Sequence, residues 1–597
     1  MNIHPEQKVA GVLVPVFALR REGDLGIGDT AALIEFIHWA RRHALHLVQI
    51  LPINETGADN SPYNAISSTA LDPVLLRTDP EGLVDLDPAA FAEECARYDL
   101  ISLRSGPVDY GRVKALKLAL LWRAFEAFEN DIPAQAPRAR AFAAFRQSKA
   151  EWMEDYALFR VLMEEQRTEQ WDLWPLDIRK VASARRWLEA QNGERRRHLA
   201  RQMKFHIYVQ WQAFLQWDEV RQLCDRLGVA LMGDVPIGVS YYSADVFSRG
   251  EIFELDWSGG APPERIFKSD PFTEKWGQNW GIPHYRWDVL RELDYDWWRQ
   301  RVATVRSIFH LFRIDHILGF YRIYSFPWRP QRNDEFLPLS EEEARVRTGG
   351  RLPGFLPRGD DSLEDRLANR QGGEVLLRMV LEEVGEFRLV GEDLGVVPDY
   401  VRPSLASLGI AGFKIPMWET APNGSLLPGS GYERLSLATY ATHDHDPLRT
   451  MWEKWDAILA AAAAGDKEAG AKAEGVRAQM QQLLDFADTG WRAGEVAFDD
   501  ALREALLTAL FHSNSWIAVA MITDLFGTTE RFNVPGAVAD SNWTRRMDQT
   551  VADWERDTGL NQKMERLARI IRASGRAPRV VRPECAETAV LTVSPVT

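Results

Sequence analysis

The sequence predicts an α/β fold, a (β/α)8 TIM barrel carrying inserted, largely helical subdomains. Three observations point there. Short apolar runs suited to buried strands alternate with amphipathic stretches of helical period along most of the 597 residues. Seven such strands are readable, with an eighth near Val12, the number that closes a barrel rather than leaving an open sheet. Acidic residues then recur at the C-terminal ends of these runs, and in a barrel all those ends open on one face.

The elements follow in chain order. Residues 33–43 (LIEFIHWARRH) repeat apolar side chains at helical spacing, and 45–52 (LHLVQILP) reads as the buried strand after them. A helix over 205–226 precedes VALMGDVP (229–236), and one over 297–309 precedes LFRID (311–315). A helix over 374–384 leads into FRLVGED (387–393), and one over 401–408 into a strand over 410–417. RLSLATYAT (434–442) and SWIAVAMITDL (515–525) complete the set. Residues 83–203 are rich in charge and helix formers with little strand signal, and are expected to form a helical insertion early in one catalytic unit that spans 1–597. The Ala-rich stretch 457–477 is expected to be exposed helix and loop, and 574–597 a C-terminal tail on the surface or without order.

Composition narrows the partners. A net charge of −15 argues against nucleic acid, which needs clustered Lys and Arg, and fits an anionic membrane surface poorly. No run reaches the roughly 18 apolar residues of a membrane span, and the N-terminus lacks the pattern of a signal peptide. Three cysteines, Cys95, Cys224 and Cys585, lie far apart, which excludes a disulfide framework and suits a reducing cytoplasm. The 22 tryptophans are either core packing or flat surfaces on which sugar rings stack.

The carboxylates at the strand ends carry the chemistry. Asp234, Asp315, Glu392, Asp444 and Asp524 close five of the runs, and a ring of them is more than helix caps require. Retaining glycosidases need two carboxyls about 5 Å apart, one a nucleophile and one an acid that later serves as base. Arg313 lies two residues before Asp315, so on a strand both face the same way, and the guanidinium holds Asp315 ionised. A structural Arg–Asp pair is the competing reading of that fragment. Glu392, in GEDLGV, has the reach to protonate a glycosidic oxygen, with flanking glycines that let the backbone approach a ligand. Asp393 is expected to face away in support. Asp444 and His443, in THDHDP, are expected to bind the sugar's hydroxyls. The same run invites a metal, but neighbouring strand residues cannot all face one ion and no HExxH spacing occurs. Nucleotide loops and the GxSxG elbow are also missing from the sequence.

At these residues the chain resembles glycoside hydrolase family 77, the 4-α-glucanotransferases called amylomaltases or disproportionating enzymes. LGIGD (25–29), LPINETG (51–57), SPYNAISSTALDP (61–73), GDVPIGVSYYSADVF (233–247) and APPERIF (261–267) carry the resemblance. So do WGIPHYRWD (280–288), FRIDHILGF (312–320), GEDLGVVP, THDHDP and NVPG with NWTRR (533–546). Some of these runs also resemble the catalytic part of the plant cytosolic disproportionating enzyme. The resemblance implies Asp315 as nucleophile, Glu392 as acid/base and Asp444 as transition-state stabiliser. It implies that Tyr63 and Trp280 stack on or bond to the glucan, that Asp234, Arg313, His316, His443 and Asn533 line the cleft, and that 260–279 is a loop over acceptor sugars. The expected substrates are maltooligosaccharides and α-1,4-glucans, with no cofactor and no metal. An α-1,4-glucan hydrolase using the same carboxylates is the alternative, and a glucan-binding protein without turnover is a third reading.

Overall fold

In the computed structural model, residues 3–263, 270–535 and 541–577 are described. Eight parallel strands form the centre: β1 (Val9–Leu13), β2 (Leu47–Gln49), β3 (Ala230–Pro236), β4 (Leu311–Asp315), β5 (Leu389–Gly391), β6 (Gly412–Lys414), β7 (Ser436–Ala438) and β8 (Ile517–Met521). Their order is β6-β7-β8-β1-β2-β3-β4-β5. A single bridge, Val390 to Ala411, with Gly391 N–H donating to the Ala411 carbonyl at 2.8 Å, joins β5 to β6 and closes the ring. The expected barrel is therefore present.

The strands alternate as a barrel requires. Leu13, Leu47, Met232, Leu311, Val390, Phe413, Leu437 and Val519 point inward and pack together in the interior. Val12, Val48, Leu231, Phe312, Ile314 and Ala520 point outward into the larger core beneath the helices. Burial of each of these side chains larger than alanine stabilises by about 1.5–3 kcal/mol. The hydrogen-bonded ladders are shorter than the apolar runs suggested; β7 covers 436–438 rather than 434–442. Tilt and stagger leave strand ends without a neighbour to pair, so apolar extended residues continue past the ladder.

Two glycines on the outward face sit immediately before carboxylates. A Cβ on Gly233 would come within 2.4 Å of the Phe309 ring, and one on Gly391 within 2.5 Å of Ile317 Cδ1. The glycine before Glu392 is thus required by packing against Ile317, which corrects the expectation that it lets a ligand approach.

Between β2 and β3 lie helices Pro88–Cys95, Leu100–Arg104, Tyr110–Asp131, Pro137–Ser148, Ala150–Gln166, Val181–Glu189 and Gly193–Leu227. The last, 35 residues long, is capped by the Asn192 side chain and stopped by Gly228 at φ 65°. It runs without a break across residue 203, with Phe205, Tyr208 and Trp211 among the insertion's aromatic rings and Trp217 against Phe309 at the barrel. The Ala-rich stretch lies in helices Leu448–Ala463 and Lys467–Phe486, which pack on each other and bury Leu459, Val476 and Met480.

A second, four-stranded antiparallel sheet was not expected. It orders Gln278–Tyr285, Phe253–Ala261, Ile323–Phe326 and Gly354–Leu356 side by side, built from the loops that follow β3 and β4. Its strands are irregular, with register shifts and the segments WSGGA and NWGIP, so they lack the two-residue alternation that marks a strand.

Most tryptophans belong to the core, Trp39, Trp217, Trp298, Trp452 and Trp516 among the most deeply buried, so the hint of many sugar-stacking surfaces is corrected. Cys95 and Cys224 are buried and free. No helix of the described residues is long and apolar enough to cross a membrane. Of the expected tail, residues 574–577 are described; the remainder lies outside the described residues.

Candidate active site

The inward residues of β3, β4 and β5 change from apolar to charged at the barrel's C-terminal mouth. On β3 the inward series continues to Asp234, on β4 to Arg313 and Asp315, and just past β5 to Glu392. Register pairs Asp234 with Arg313 directly across β3 and β4. The Arg313 guanidinium consequently meets both Asp234 oxygens with Nη1, at 2.8 and 2.7 Å, and Asp315 Oδ1 with Nη2 at 2.7 Å. Asp234 and Arg313 are buried, whereas the Asp315 side chain keeps 29% of its exposure. One oxygen-bearing end of Asp315 is therefore fixed by charge while the group still faces the cleft. Burial disfavours the Arg313 charge, but Asp234 and Asp315 outweigh it and hold the guanidinium firmly protonated.

Glu392 is held differently. Its Oε2 accepts the His316 backbone N–H at 2.8 Å and its Oε1 the Leu394 N–H at 3.1 Å. His316 makes its contact from a left-handed conformation, φ 49°, at the turn that ends β4. Burial pushes the Glu392 carboxyl up to about 8; Arg313 pulls against this and the neighbouring Asp315 charge adds to it. Asp393 faces away, accepting the Phe413 N–H at 2.6 Å and Arg402 Nε at 3.0 Å.

Asp444 follows β7. Asn533 Nδ2 donates to its Oδ1 at 2.5 Å, and His443 Nε2 lies 3.4 Å from Oδ2. Burial raises this carboxyl, but His443, the Asn533 hydrogen bond and Arg313 together hold it below the usual range. His443 stacks on Tyr63, centroids 5.0 Å apart, and the Tyr63 hydroxyl donates to Asp234 at 2.7 Å. Trp280, on the edge of the antiparallel sheet, stands edge-on to His316 at 4.9 Å with 38% of its surface exposed. Burial lowers His316 to about 4, so its imidazole is neutral at pH 7.

The structure thus brings Tyr63, Asp234, Arg313, Asp315, His316, Glu392, His443, Asp444 and Asn533 into one connected cluster, with Trp280 at its rim. Asp524 does not belong to it. It lies in the short helix Ile522–Phe526 after β8, fully buried, and its Oδ1 accepts the Leu448 N–H at 2.8 Å, at the start of the helix Leu448–Ala463 that precedes β8 in the chain. The ring of five carboxylates is corrected to four. The run His443 to Asp446 also separates: Thr442 Oγ1 meets His445 at 2.9 Å, and Arg531 and Lys454 meet Asp446 at 2.9 and 2.7 Å. Among the described residues no three His, Cys, Asp or Glu side chains converge as metal ligands.

Trp418 was missed. It is half-exposed, four residues past β6, with its ring 5.7 Å from His445 on the Asp444 side of the mouth. Only its place shortly after a strand end could have singled it out among so many tryptophans. The expected acceptor loop, 260–279, is anchored at both ends in the antiparallel sheet, with Phe272 and Trp276 buried against Phe326, Trp328 and Phe336; residues 264–269 within it lie outside the described residues.

Comparison with known proteins agrees with this geometry. The profile of the 4-alpha-glucanotransferase family, glycoside hydrolase family 77, matches residues 14–551. The chain is similar to the 4-alpha-glucanotransferase of Chlamydia pneumoniae, 28% identical over 563 residues that cover 93% of this chain and 94% of that one. With the 4-alpha-glucanotransferase of Thermus thermophilus it shares 31% identity over 424 residues, 69% of this chain and 73% of the other. Among solved structures, the amylomaltase from Streptococcus agalactiae in complex with acarbose has the same fold, with a TM-score of 0.68 at 22% identity over 96% of this chain and 100% of that one.

Proposed function

The chain belongs to the 4-α-glucanotransferases of glycoside hydrolase family 77, and from that premise we propose how its residues transfer α-1,4-glucan segments between maltooligosaccharides. Asp315 Oδ attacks C1 of the donor sugar. As the C1–O4 bond breaks, the Glu392 proton passes to the departing oxygen, leaving a covalent glycosyl ester on Asp315. Glu392, now ionised, takes the proton from the 4-hydroxyl of an incoming glucan. That oxygen attacks C1, the ester to Asp315 breaks, and two inversions retain the α configuration.

The observation that carries this reading is the asymmetry of two carboxyls on neighbouring strand ends. Asp315 Oδ1 is held by Arg313 Nη2 at 2.7 Å while the group still faces the cleft, as an oriented nucleophile requires. Glu392 is pushed to about 8 and so carries its proton at neutral pH, as a general acid must. Asp444, held ionised, supports the positive charge that develops at the sugar ring and accepts hydrogen bonds from its hydroxyls. Tyr63, Trp280 and Trp418 offer aromatic surface to the glucan, with Asp234, His316, His443 and Asn533 holding the cleft's shape. The chemistry calls for no cofactor and no metal.

Incubation with maltotriose tests the reading. Free glucose together with chains longer than the substrate is the expected outcome. Glucose and maltose alone would mean that water wins as acceptor and would replace transfer by hydrolysis.

A further inference from the structure

Asp315 and Glu392 are fixed by strand ladders and backbone N–H groups, but Asp444 is not. Residues 439–447, after β7, and 527–535, after the helix Ile522–Phe526, are turns and irregular chain. The bond from Asn533 Nδ2 to Asp444 Oδ1 joins these two segments across 89 residues. Neither segment has a ladder that would set the direction of its side chains, so the constraint has to come from elsewhere.

Arg531 supplies it. Its Nε donates to the Asn533 carbonyl at 2.7 Å, its Nη2 to the Asp444 carbonyl at 2.6 Å and its Nη1 to Asp446 Oδ1 at 2.9 Å. A guanidinium is one rigid plane, so these three acceptors are held in fixed relation to each other. The plane therefore grips the backbone of both residues whose side chains meet. Asp446 carries the grip outward, since its Oδ2 accepts Lys454 Nζ at 2.7 Å from the helix Leu448–Ala463. Asp446 also supplies the counter-charge. Arg531 meets Asp444 through the carbonyl rather than the carboxylate, so the clasp orients the acid without occupying it.

We propose that Arg531 is a positioning residue for glucan transfer, clasping the Asp444 turn to the Asn533 segment so that the Asp444 carboxylate faces the reacting sugar. The inference rests on the role proposed above for Asp444. A group that acts on charge developing in the transition state is sensitive to placement, and an error of about 1 Å costs up to about 10²-fold in rate. Losing the clasp leaves all three carboxylates present and misdirects one of them.

The test compares Arg531→Gln, Arg531→Lys, Asp444→Asn and the double variant Arg531→Gln/Asp444→Asn in maltotriose transfer by the full-length protein. Arg531→Gln should lower kcat by about 10- to 100-fold with KM within about threefold. Arg531→Lys keeps the cation but not the planar fork, so its kcat should stay within about threefold of the glutamine variant. It carries the same expectation should Arg531→Gln not fold. In the Asp444→Asn background, Arg531→Gln should add less than about threefold, because its effect passes through Asp444. A lower Tm with kcat per folded molecule unchanged would make Arg531 structural and overturn the proposal. So would full activity in Arg531→Lys, which would assign the effect to charge alone, or an undiminished fall in the double variant. Asp444→Asn with kcat intact would instead remove the role of Asp444 and the proposal with it, a result that the arginine variants cannot mimic.

Discussion

The two ends of the barrel each bury an arginine, and they use it in opposite ways. At the mouth, Arg313 meets two carboxylates, one of them still facing the cleft. At the floor, Arg576 meets no carboxylate; it donates to the Ser513 hydroxyl and to backbone carbonyls, including those of Val9 and Trp516 at the N-terminal ends of β1 and β8 and that of Phe511 near the end of the helix Asp500–His512. Carbonyls at a helix C-terminus and at strand starts carry partial negative charge, which a cation offsets. The mouth uses its charge to fix carboxylates beside the cleft; the floor uses it to seal backbone. Position along the strand, rather than residue type, decides between chemistry and stability.

Substitutions at the two ends should separate these roles, beginning with the mouth. Asp315→Asn removes the proposed nucleophile while preserving shape, so kcat for maltotriose disproportionation should fall by about 10⁴-fold or more, with glucan binding by calorimetry retained. Surviving activity would break the assignment. Glu392→Gln should lower kcat by about 10²- to 10⁴-fold. In the unaltered enzyme kcat/KM should decline as pH rises through about 8, where Glu392 loses its proton.

The same group links catalysis to stability. The folded pKa of Glu392 lies above its unfolded value of about 4.3, so the folded state binds the extra proton between those pH values. Stability from this group is complete below about 4.3 and is lost as pH rises through about 8. Glu392→Gln should therefore gain on the parent by about 1–2 kcal/mol at pH 9 relative to pH 5, the cleft's solvent damping the full linkage. A gap independent of pH would break the link.

The floor should respond in the reverse sense. Arg576→Met removes a donor from five carbonyls, of which Trp516 keeps the Val9 N–H and Ser513 keeps Lys8 Nζ, and should cost roughly 3 kcal/mol in denaturant unfolding. Activity per folded molecule should stay within about twofold. The smallest effect is expected at Asp524, a buried carboxyl in the helix after β8 and outside the cleft cluster. Burial raises it to about 7, so it carries a proton in about half of the molecules at neutrality, and its observed contact is the Leu448 N–H that it accepts. Asp524→Asn keeps an acceptor oxygen and should change stability by less than about 1 kcal/mol, with kcat unaffected. A large loss of kcat would return Asp524 to the mouth.

Much of this contrast was legible in the sequence, for a physical reason. An inward-facing series that reads Leu311, Arg313, Asp315 announces both strand parity and the point where the core gives way to the cleft. Asp524 was misread because its apolar run continues past the ladder into a helix, so the acid lies beyond the strand's true end. The contacts Tyr63 to Asp234 and Asn533 to Asp444 span 171 and 89 residues, and no local spacing encodes them; only family resemblance placed Tyr63 and Asn533. The antiparallel sheet hid behind glycine and proline, and Arg576 lay where a tail was expected, because satisfaction by carbonyls leaves no charged partner to notice.

The helix from Gly193 to Leu227 also limits how this molecule can be re-engineered. At about 1.5 Å per residue its 35 residues make a rod of roughly 50 Å. One end supplies the insertion's aromatic wall and the other lies against the barrel. The insertion is therefore not a detachable module. A deletion of residues 83–203 would cut this rod and strand Phe205, Tyr208 and Trp211 on an open surface, inviting aggregation. A shortened version of the protein would have to be cut beyond Trp211 and given a new helix start.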